Sequence, residues 1–400
     1  MRLIPLLLVP LLLIPLRGTA RAAPTDGELA AVESRLLDVI SANPDDADAW
    51  FDLATTRLVR QDFPGARAAF ELTLEADPQH APAMNSLGNM MMIEGDAIAA
   101  LDWYQRAFAA SPDDPKAPFN MGEVATIARE QESALGFYTI ALGLAPDSRK
   151  YAMKVAETHL AMGNPELVHR VLAPVLRADP DDIGALLADG TGYHRAGDYD
   201  AALTPFLRAR ELAPDNLMAQ RWVGTACWMT HQWECAEVAY GDALALAPER
   251  ADLWLERGQA RSKLGPAYAS RAVADFDKAA ELDTESPRPR FELGVLMETA
   301  GRDDEALSAY RAALGRDPTH CPSALNAGRL LIVSGRYPEA EATLDSCLRV
   351  QPDNEHALLN RGLARARAGL CEMAARDLSP IAEGEGPAAE HAARLMADCR

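Results

Sequence analysis

Cys227, His231 and Cys235 stand four residues apart. On one continuous helix the three would share a face, and thiolate with imidazole suits a soft metal. The repeat described below puts a turn at about Thr230–Gln232, which breaks that face. No fourth ligand is evident, and no CxxCH haem-attachment motif occurs. The expectation is therefore no metal. Nucleophile elbow, P-loop, dinucleotide glycine fingerprint and HExxH are all absent from the sequence. Paired carboxylates such as Asp45-Asp46 and Asp113-Asp114 fall at helix starts, where capping explains them. The expectation is no catalytic residue, no cofactor and no small-molecule substrate.

The remaining residues suited to recognition are aromatic. Leu217–Arg250 holds three of the six tryptophans, Trp222, Trp228 and Trp233. What positions them is a repeat. Pro44, Pro78, Pro112, Pro146, Pro180, Pro214 and Pro248 fall 34 residues apart. The ladder skips a rung at Thr284 and resumes at Pro318 and Pro352, two residues late. A fixed period of this size signals stacked supersecondary units. Each proline stops one helix, and a following Asp or Asn caps the next.

A second ladder runs Ala54, Gly88, Gly122, Ala156, Gly190, Gly224, Gly258, Gly294, Gly328, Gly362. A third runs Ala66, Ala100, Ala134, Val168, Ala202, Ala236, Ala272, Ala306, Ala340, Ala374, with a large residue four positions later, as at Tyr104 and Tyr240. Glycine inside a helix costs up to about 1 kcal/mol relative to alanine, so its recurrence must serve close packing. Large and small side chains then alternate across a helix pair.

Val223-Gly224, Ala236, Tyr240, Ala243 and Pro248 resemble the tetratricopeptide repeat, and the pattern recurs from roughly Ala47 to Pro387. The resemblance implies an all-α fold, an α-solenoid in which about ten helix-turn-helix units form a right-handed superhelix. The units run 47–80, 81–114, 115–148, 149–182, 183–216, 217–250, 251–286, 287–320, 321–354 and 355–387. A half-repeat at 23–46, helical from Glu28, caps one end, and a helix at 388–400 caps the other. Glycines such as Gly95, Gly163 and Gly197 are expected to close first helices. Pro174 and Pro205 fall inside second helices and are expected to kink them. The two extra residues belong near Gly265-Pro266-Ala267-Tyr268.

The resemblance also implies that first helices line a concave groove. At about 100° per residue, Met218, Trp222, Thr225 and Met229 lie opposite the packed face of Val223, Gly224 and Cys227, with Arg221 and Trp228 flanking. His194 and Arg195 precede this patch; Glu256, Gln259 and Lys263 follow it. Trp and Arg dominate binding hot spots, and methionine adapts to varied apolar partners. The contrasting reading is that curvature buries the rings as ordinary core. Trp50 and Trp254 recur at a packing position, and Trp103 and Trp233 also suggest packing. Asn120, Asn326 and Asn360 occupy equivalent positions near Asn85 and Asn89, where amides suit a peptide backbone. Lys150 and Lys154 share a groove face without completing the carboxylate clamp of chaperone-binding repeats.

Antiparallel helix pairs bring residues equidistant from a turn together. That favours pairing Cys227 with Cys235, Cys321 with Cys347 and Cys371 with Cys399, against the alternative of small buried thiols in tight packing. Disulfides need an oxidising compartment. Met1-Arg2, the apolar run Leu3–Leu16 and Ala20-Arg21-Ala22 read as a secretory signal over residues 1–22. Pro5, Pro10 and Pro15 interrupt any helix in it, and membrane contact is expected only if the segment stays uncleaved. The formal charge of −20 argues against nucleic acid. The expected protein is a periplasmic or secreted, non-catalytic scaffold that binds a peptide or helix of a protein partner in its groove. The alternative is a structural subunit of an envelope assembly or export machine that uses a broad surface.

Overall fold

A computed structural model describes residues 24–399 of the chain. Among the described residues there are twenty-two α-helices and no strand. The expected signal segment lies outside them. Helix α1 (Asp26–Ala42) is followed by ten pairs. These are α2 (Ala47–Val59) with α3 (Phe63–Ala76), α4 (Ala81–Glu94) with α5 (Ala97–Ala110), and α6 (Lys116–Ile127) with α7 (Gln131–Leu144). Next come α8 (Arg149–Ala161) with α9 (Val168–Ala178), α10 (Ile183–Arg195) with α11 (Tyr199–Leu212), and α12 (Leu217–Met229) with α13 (Trp233–Leu246). The rest are α14 (Ala251–Lys263) with α15 (Ala269–Leu282), α16 (Arg288–Thr299) with α17 (Asp303–Arg316), α18 (Cys321–Val333) with α19 (Tyr337–Leu348), and α20 (Glu355–Arg367) with α21 (Cys371–Ala382). Helix α22 (Pro387–Asp398) closes the series.

The chain divides into two compact units, one ending at Thr158 and one beginning at His159, with the boundary inside α8. Each is an α-solenoid whose consecutive helices pack on one another.

Local chemistry sets the helix ends. Asp46, Asp62, Asp96, Asp198, Asn216 and Asn354 each accept a hydrogen bond from the backbone N–H three residues on. Left-handed glycines follow first helices at Gly95, Gly163, Gly197, Gly301, Gly335 and Gly369. Three units use Gln61, Arg129 and His231 there instead, at φ near 60°. His231 is thus a turn residue between α12 and α13, and the helical face joining it to both cysteines does not form.

Two boundaries differ from the sequence reading. α1 starts at Asp26 rather than Glu28, because Thr25 and Glu28 form a reciprocal capping box. α22 starts at Pro387 rather than Ala388, with proline in its first turn. The two extra residues fall where Gly265, at φ 95°, leads into a short 3₁₀ turn, Pro266–Tyr268. α9 and α11 run unbroken through Pro174 and Pro205.

Packing within a pair turns on the glycine ladder. A Cβ placed on Gly88 would lie 2.5 Å from Cε1 of Tyr104, and one on Gly224 2.7 Å from Cε1 of Tyr240. Gly122, Gly190, Gly258 and Gly294 meet Tyr138, Phe206, Phe276 and Tyr310 in the same way, and Gly328 and Gly362 meet Leu344 and Leu378. Each ring fills the notch its glycine leaves. Between pairs, ionic contacts recur at one repeat position: Glu33 with Arg57 at 2.9 Å, Glu237 with Arg261 at 2.6 Å, and Glu341 with Arg365 at 2.8 Å. Buried Asp275 holds both Arg257 and Arg261, and buried Asp377 holds both Arg361 and Arg365.

Candidate functional site

The rings that fill the glycine notches reach through the pair to its first helix. Tyr104 Oη donates to Asn89 Oδ1 at 2.8 Å, Tyr138 Oη donates to Glu123, and Tyr240 Oη donates to Thr225 at 3.3 Å. Each acceptor directly follows its repeat's glycine. Burial raises all three phenol pKa values.

The next first helix closes over the same spot from two positions before its own glycine. Asn120 Nδ2 donates to Asn89 Oδ1 at 3.2 Å and to Asn85 Oδ1 at 2.9 Å. Asn326 Nδ2 donates to Tyr310 Oη at 3.1 Å. Trp222 holds the equivalent position over Phe206, which has no hydroxyl. Its indole lies on the phenyl ring, centroids 5.4 Å apart and planes 6° from parallel. An amide covers a phenol; an aromatic face covers a phenyl.

Trp222 is therefore half-buried, not free on an open face. The helical wheel placed it opposite α12's contacts with α13, but α11 packs on α12 from the other side. His194 meets the indole edge at 5.1 Å and Tyr199 at 5.2 Å. His194 Nε2 is buried without a partner, and burial lowers the ring's pKa. Trp228 packs edge-on against Trp233 at 4.9 Å, and His231 covers Trp233 at 5.0 Å. The outer residues of the patch are Met218, 54% exposed, and Met229, 37% exposed.

The flanking polar residues are engaged. Arg221 pairs with Glu256 at 2.7 Å and Asp252 at 3.1 Å, both on α14. Burial raises the Glu256 carboxyl pKa, with Arg221 opposing it. Gln259 donates to Glu292 on α16 at 2.8 Å, and Arg329 on α18 pairs with Glu298 on α16. Arg195 is exposed and donates to the Leu160 carbonyl at 3.0 Å. Trp50 and Trp254 donate their indole N–H to the carbonyls of Pro44 and Pro248, and Gln220 does the same to Pro214. That position is structural in each repeat.

Three cysteine pairs are disulfide-bonded: Cys227 with Cys235 across the α12–α13 turn, Cys321 with Cys347 at the open end of α18–α19, and Cys371 with Cys399 from α21 to the end of α22. Both sulfurs beside His231 are thus committed to each other.

Sequence reasoning passed over one apolar row. Val59, Ile93 and Ile127 stand 34 residues apart in the last turns of α2, α4 and α6, all exposed, at the repeat position that Met229 holds. On the same first helices Asn120 bonds to Asn85 and Asn89, and Lys150 of α8 sets its Nζ 3.8 Å from the Phe119 ring centroid. Lys154 pairs with Glu123 at 3.3 Å. A search for apolar residues on the 34-residue period outside the core positions would have found the row.

Helix pairs on a 34-residue period, locked ring into glycine, define a helical-repeat scaffold. The chain belongs to the tetratricopeptide-repeat family: models of that repeat match residues 20–81, 51–115, 155–217, 269–320 and 299–366. The Trp-rich pair α12–α13 lies almost wholly between matched stretches. Among curated proteins the chain is similar to Protein NPGR1 of Arabidopsis thaliana, 29% identical over 31% of this chain and 18% of that one. It is also similar to Protein FlbA of Caulobacter vibrioides, 28% identical over 47% of this chain and 31% of that one. The chain thus spans under a third of either relative. Among solved structures, Pseudomonas aeruginosa pilF gives a TM-score of 0.42 at 19% identity over 52% of this chain and 94% of that one. A tetratricopeptide repeat protein from Parabacteroides merdae gives 0.45 at 16% over 63% and 98%.

Proposed function

We propose that this protein is an exported, non-catalytic scaffold that takes a peptide or helix of a protein partner on the first-helix face around α12. The observation that carries the reading is that α12 bears two exposed methionines, Met218 and Met229, together with half-buried Trp222 and Trp228. Rigid aromatics and flexible thioethers on one helix give a surface that desolvates readily and adapts to apolar side chains. Arg221, held by Glu256 and Asp252, edges the patch with charge at little further ordering cost.

Export rests on the apolar leader with its Ala20-Arg21-Ala22 site and on the three cysteine pairs, which suit an oxidising compartment. Protein recovered from the envelope fraction should start near Ala23 and weigh six hydrogens less than its reduced form. Cytoplasmic recovery with six free thiols would refute export.

A second reading, a structural subunit holding its partners by a broad surface, draws support from the polar lacing of successive first helices by the ion pairs Arg221–Glu256 and Arg329–Glu298 and the hydrogen bond from Gln259 to Glu292. A photocrosslinker at Met229, compared with one at exposed Val238 on α13, separates the two. Groove binding gives an adduct with an envelope protein from Met229 and not from Val238. Equal adducts from both positions favour the broad surface.

A further inference from the structure

Two positions of the second helix are buried in every full repeat. The small-residue position, Ala66 through Ala374, is at most 1% exposed in all ten, and the position seven residues later, Thr73 through Ile381, at most 8%. In α1 the same positions are Val32, 37% exposed, and Val39, 46% exposed. Leu36, at the position of Tyr104 and Tyr240, is only partly covered, by packing against the core that α2 helps to form. α1 is a second-type helix by sequence register and by its ionic latch, Glu33 to Arg57, and among the described residues α2 packs on it while Val32 and Val39 stay exposed.

We propose that this face of α1 docks one amphipathic helix from a different polypeptide, carrying a glycine or alanine where it crosses Leu36. The chain itself specifies that chemistry, because the ten full repeats follow one plan. Wherever the first helix carries glycine, a Cβ there would collide with the large residue of the second helix. A partner helix with a bulky residue at the crossing would be held too far away to cover Val32 and Val39.

Other occupants fit less well. A second copy has no first-type helix to lend: Ala54, Gly88, Gly122, Ala156, Gly190, Gly224, Gly258, Gly294, Gly328 and Gly362 are all buried. Two α1 helices facing each other would set valine against valine or leucine with no small residue at the crossing. The chain's own leading segment carries Pro10 and Pro15, a residue type that disfavours a helix interior. α1 also begins at Asp26, three residues before the register of Phe63 in α3, and so takes up the turn such a hairpin requires.

The test is fluorescence anisotropy with a labelled synthetic peptide of the α4 sequence, His80–Gly95, titrated with the purified protein. That peptide is a first-type helix with Gly88 at its crossing point and apolar Leu87 and Met91 beside it, whereas α14 would set Arg257 and Arg261 against Arg35, which stands in α1 at the register of Asp275. Saturable binding is expected, weakened at least about tenfold, or about 1.4 kcal/mol, by Val39→Asp or Val32→Asp in the protein and by Gly88→Leu in the peptide. Both protein positions are solvent-exposed, so circular dichroism should be unchanged. Absence of saturable binding up to about 1 mM peptide, a range that covers weak docking, would overturn the proposal. So would binding that ignores Val39→Asp. A protein dimer dissolved by Val39→Asp would give the face to a second copy. Peptide binding that appears only after residues 1–23 are removed would give it to the leading segment. Neither result would bear on the α12 patch, whose residues the titration leaves untouched.

Discussion

Trp222 lies flat on Phe206, and Phe206 in turn fills the notch at Gly190, where an added Cβ would stand 2.5 Å from Cε1 of the phenyl ring. Three elements meet in that stack: α10 supplies the glycine, α11 the phenyl ring and α12 the indole. Under the proposed function, recognition and packing share one side chain. Trp222→Ala should lower stability by about 2 kcal/mol, through lost aromatic contact and a partial cavity. Trp222→Phe should recover most of that loss. Chemical denaturation of both variants reads the difference; equal stability for wild type and Trp222→Ala would mean the stack contributes nothing.

Gly224 supplies a contrasting test. Its missing Cβ leaves room for Tyr240, a buried residue of α13 whose hydroxyl reaches Thr225. Gly224→Leu should cost at least about 1–3 kcal/mol by overpacking. In a solenoid the damage should stay near its own repeat, which hydrogen exchange can localise to α12 and α13. An unchanged melting curve would contradict the close-contact account.

Asp275 is buried between Arg257, at 2.7 Å, and Arg261, at 2.9 Å. Asp275→Ala would leave two guanidinium groups facing each other with one carboxylate, Glu237, left to offset them. The expected cost is about 3–5 kcal/mol, against about 0–1 kcal/mol for breaking the exposed Arg302–Glu305 pair. Denaturant midpoints of Asp275→Ala and Glu305→Ala should therefore separate widely, and similar midpoints would refute the assignment.

Much of this is legible in the sequence, for a definite reason. Each repeat must solve the same packing problem, so Gly88, Gly122 and Gly294 recur on a fixed period opposite Tyr104, Tyr138 and Tyr310. The turn between α12 and α13 was legible from the same register. The surroundings of Trp222 were not. A helical wheel treats α12 as having one packed side, whereas a first helix inside a stack has neighbours on several. That Trp222 lies over Phe206, which offers no hydroxyl for an amide to cover, is a tertiary fact, and so is the engagement of Arg221 by Glu256 on the next first helix. The early start of α1 was legible in Thr25-Asp26-Gly27-Glu28, a capping-box sequence.

Three histidines carry a pH dependence. Burial holds the pKa values of His159, His194 and His320 below the ordinary 6.5. The unfolded chain therefore binds protons at these rings before the folded chain does, and unfolding is favoured as pH falls. Their contribution is intact above about 6.5 and is lost as pH drops through the folded values. For His194 the neighbouring Arg195 acts in the same direction. Carboxyls raised by burial, such as Asp189 and Glu256, act in the opposite sense, so the histidine contribution is read by difference. Relative to wild type, His194→Phe should gain melting temperature at pH 5 compared with pH 7. A difference between the two proteins that does not change, or that reverses, over this range would contradict the sign.

The most direct test of the scaffold reading is a quantitative crosslinking pull-down from the native envelope fraction. It should compare wild type with the double variant Met218→Glu, Met229→Glu. These side chains are exposed, so the fold should be unaffected and any change in capture reports on the surface itself. A specific protein partner is expected with wild type, reduced at least about tenfold in the variant, as for loss of a binding hot spot. Capture of the same partners in the same amounts by both proteins would contradict a binding site on this face of α12.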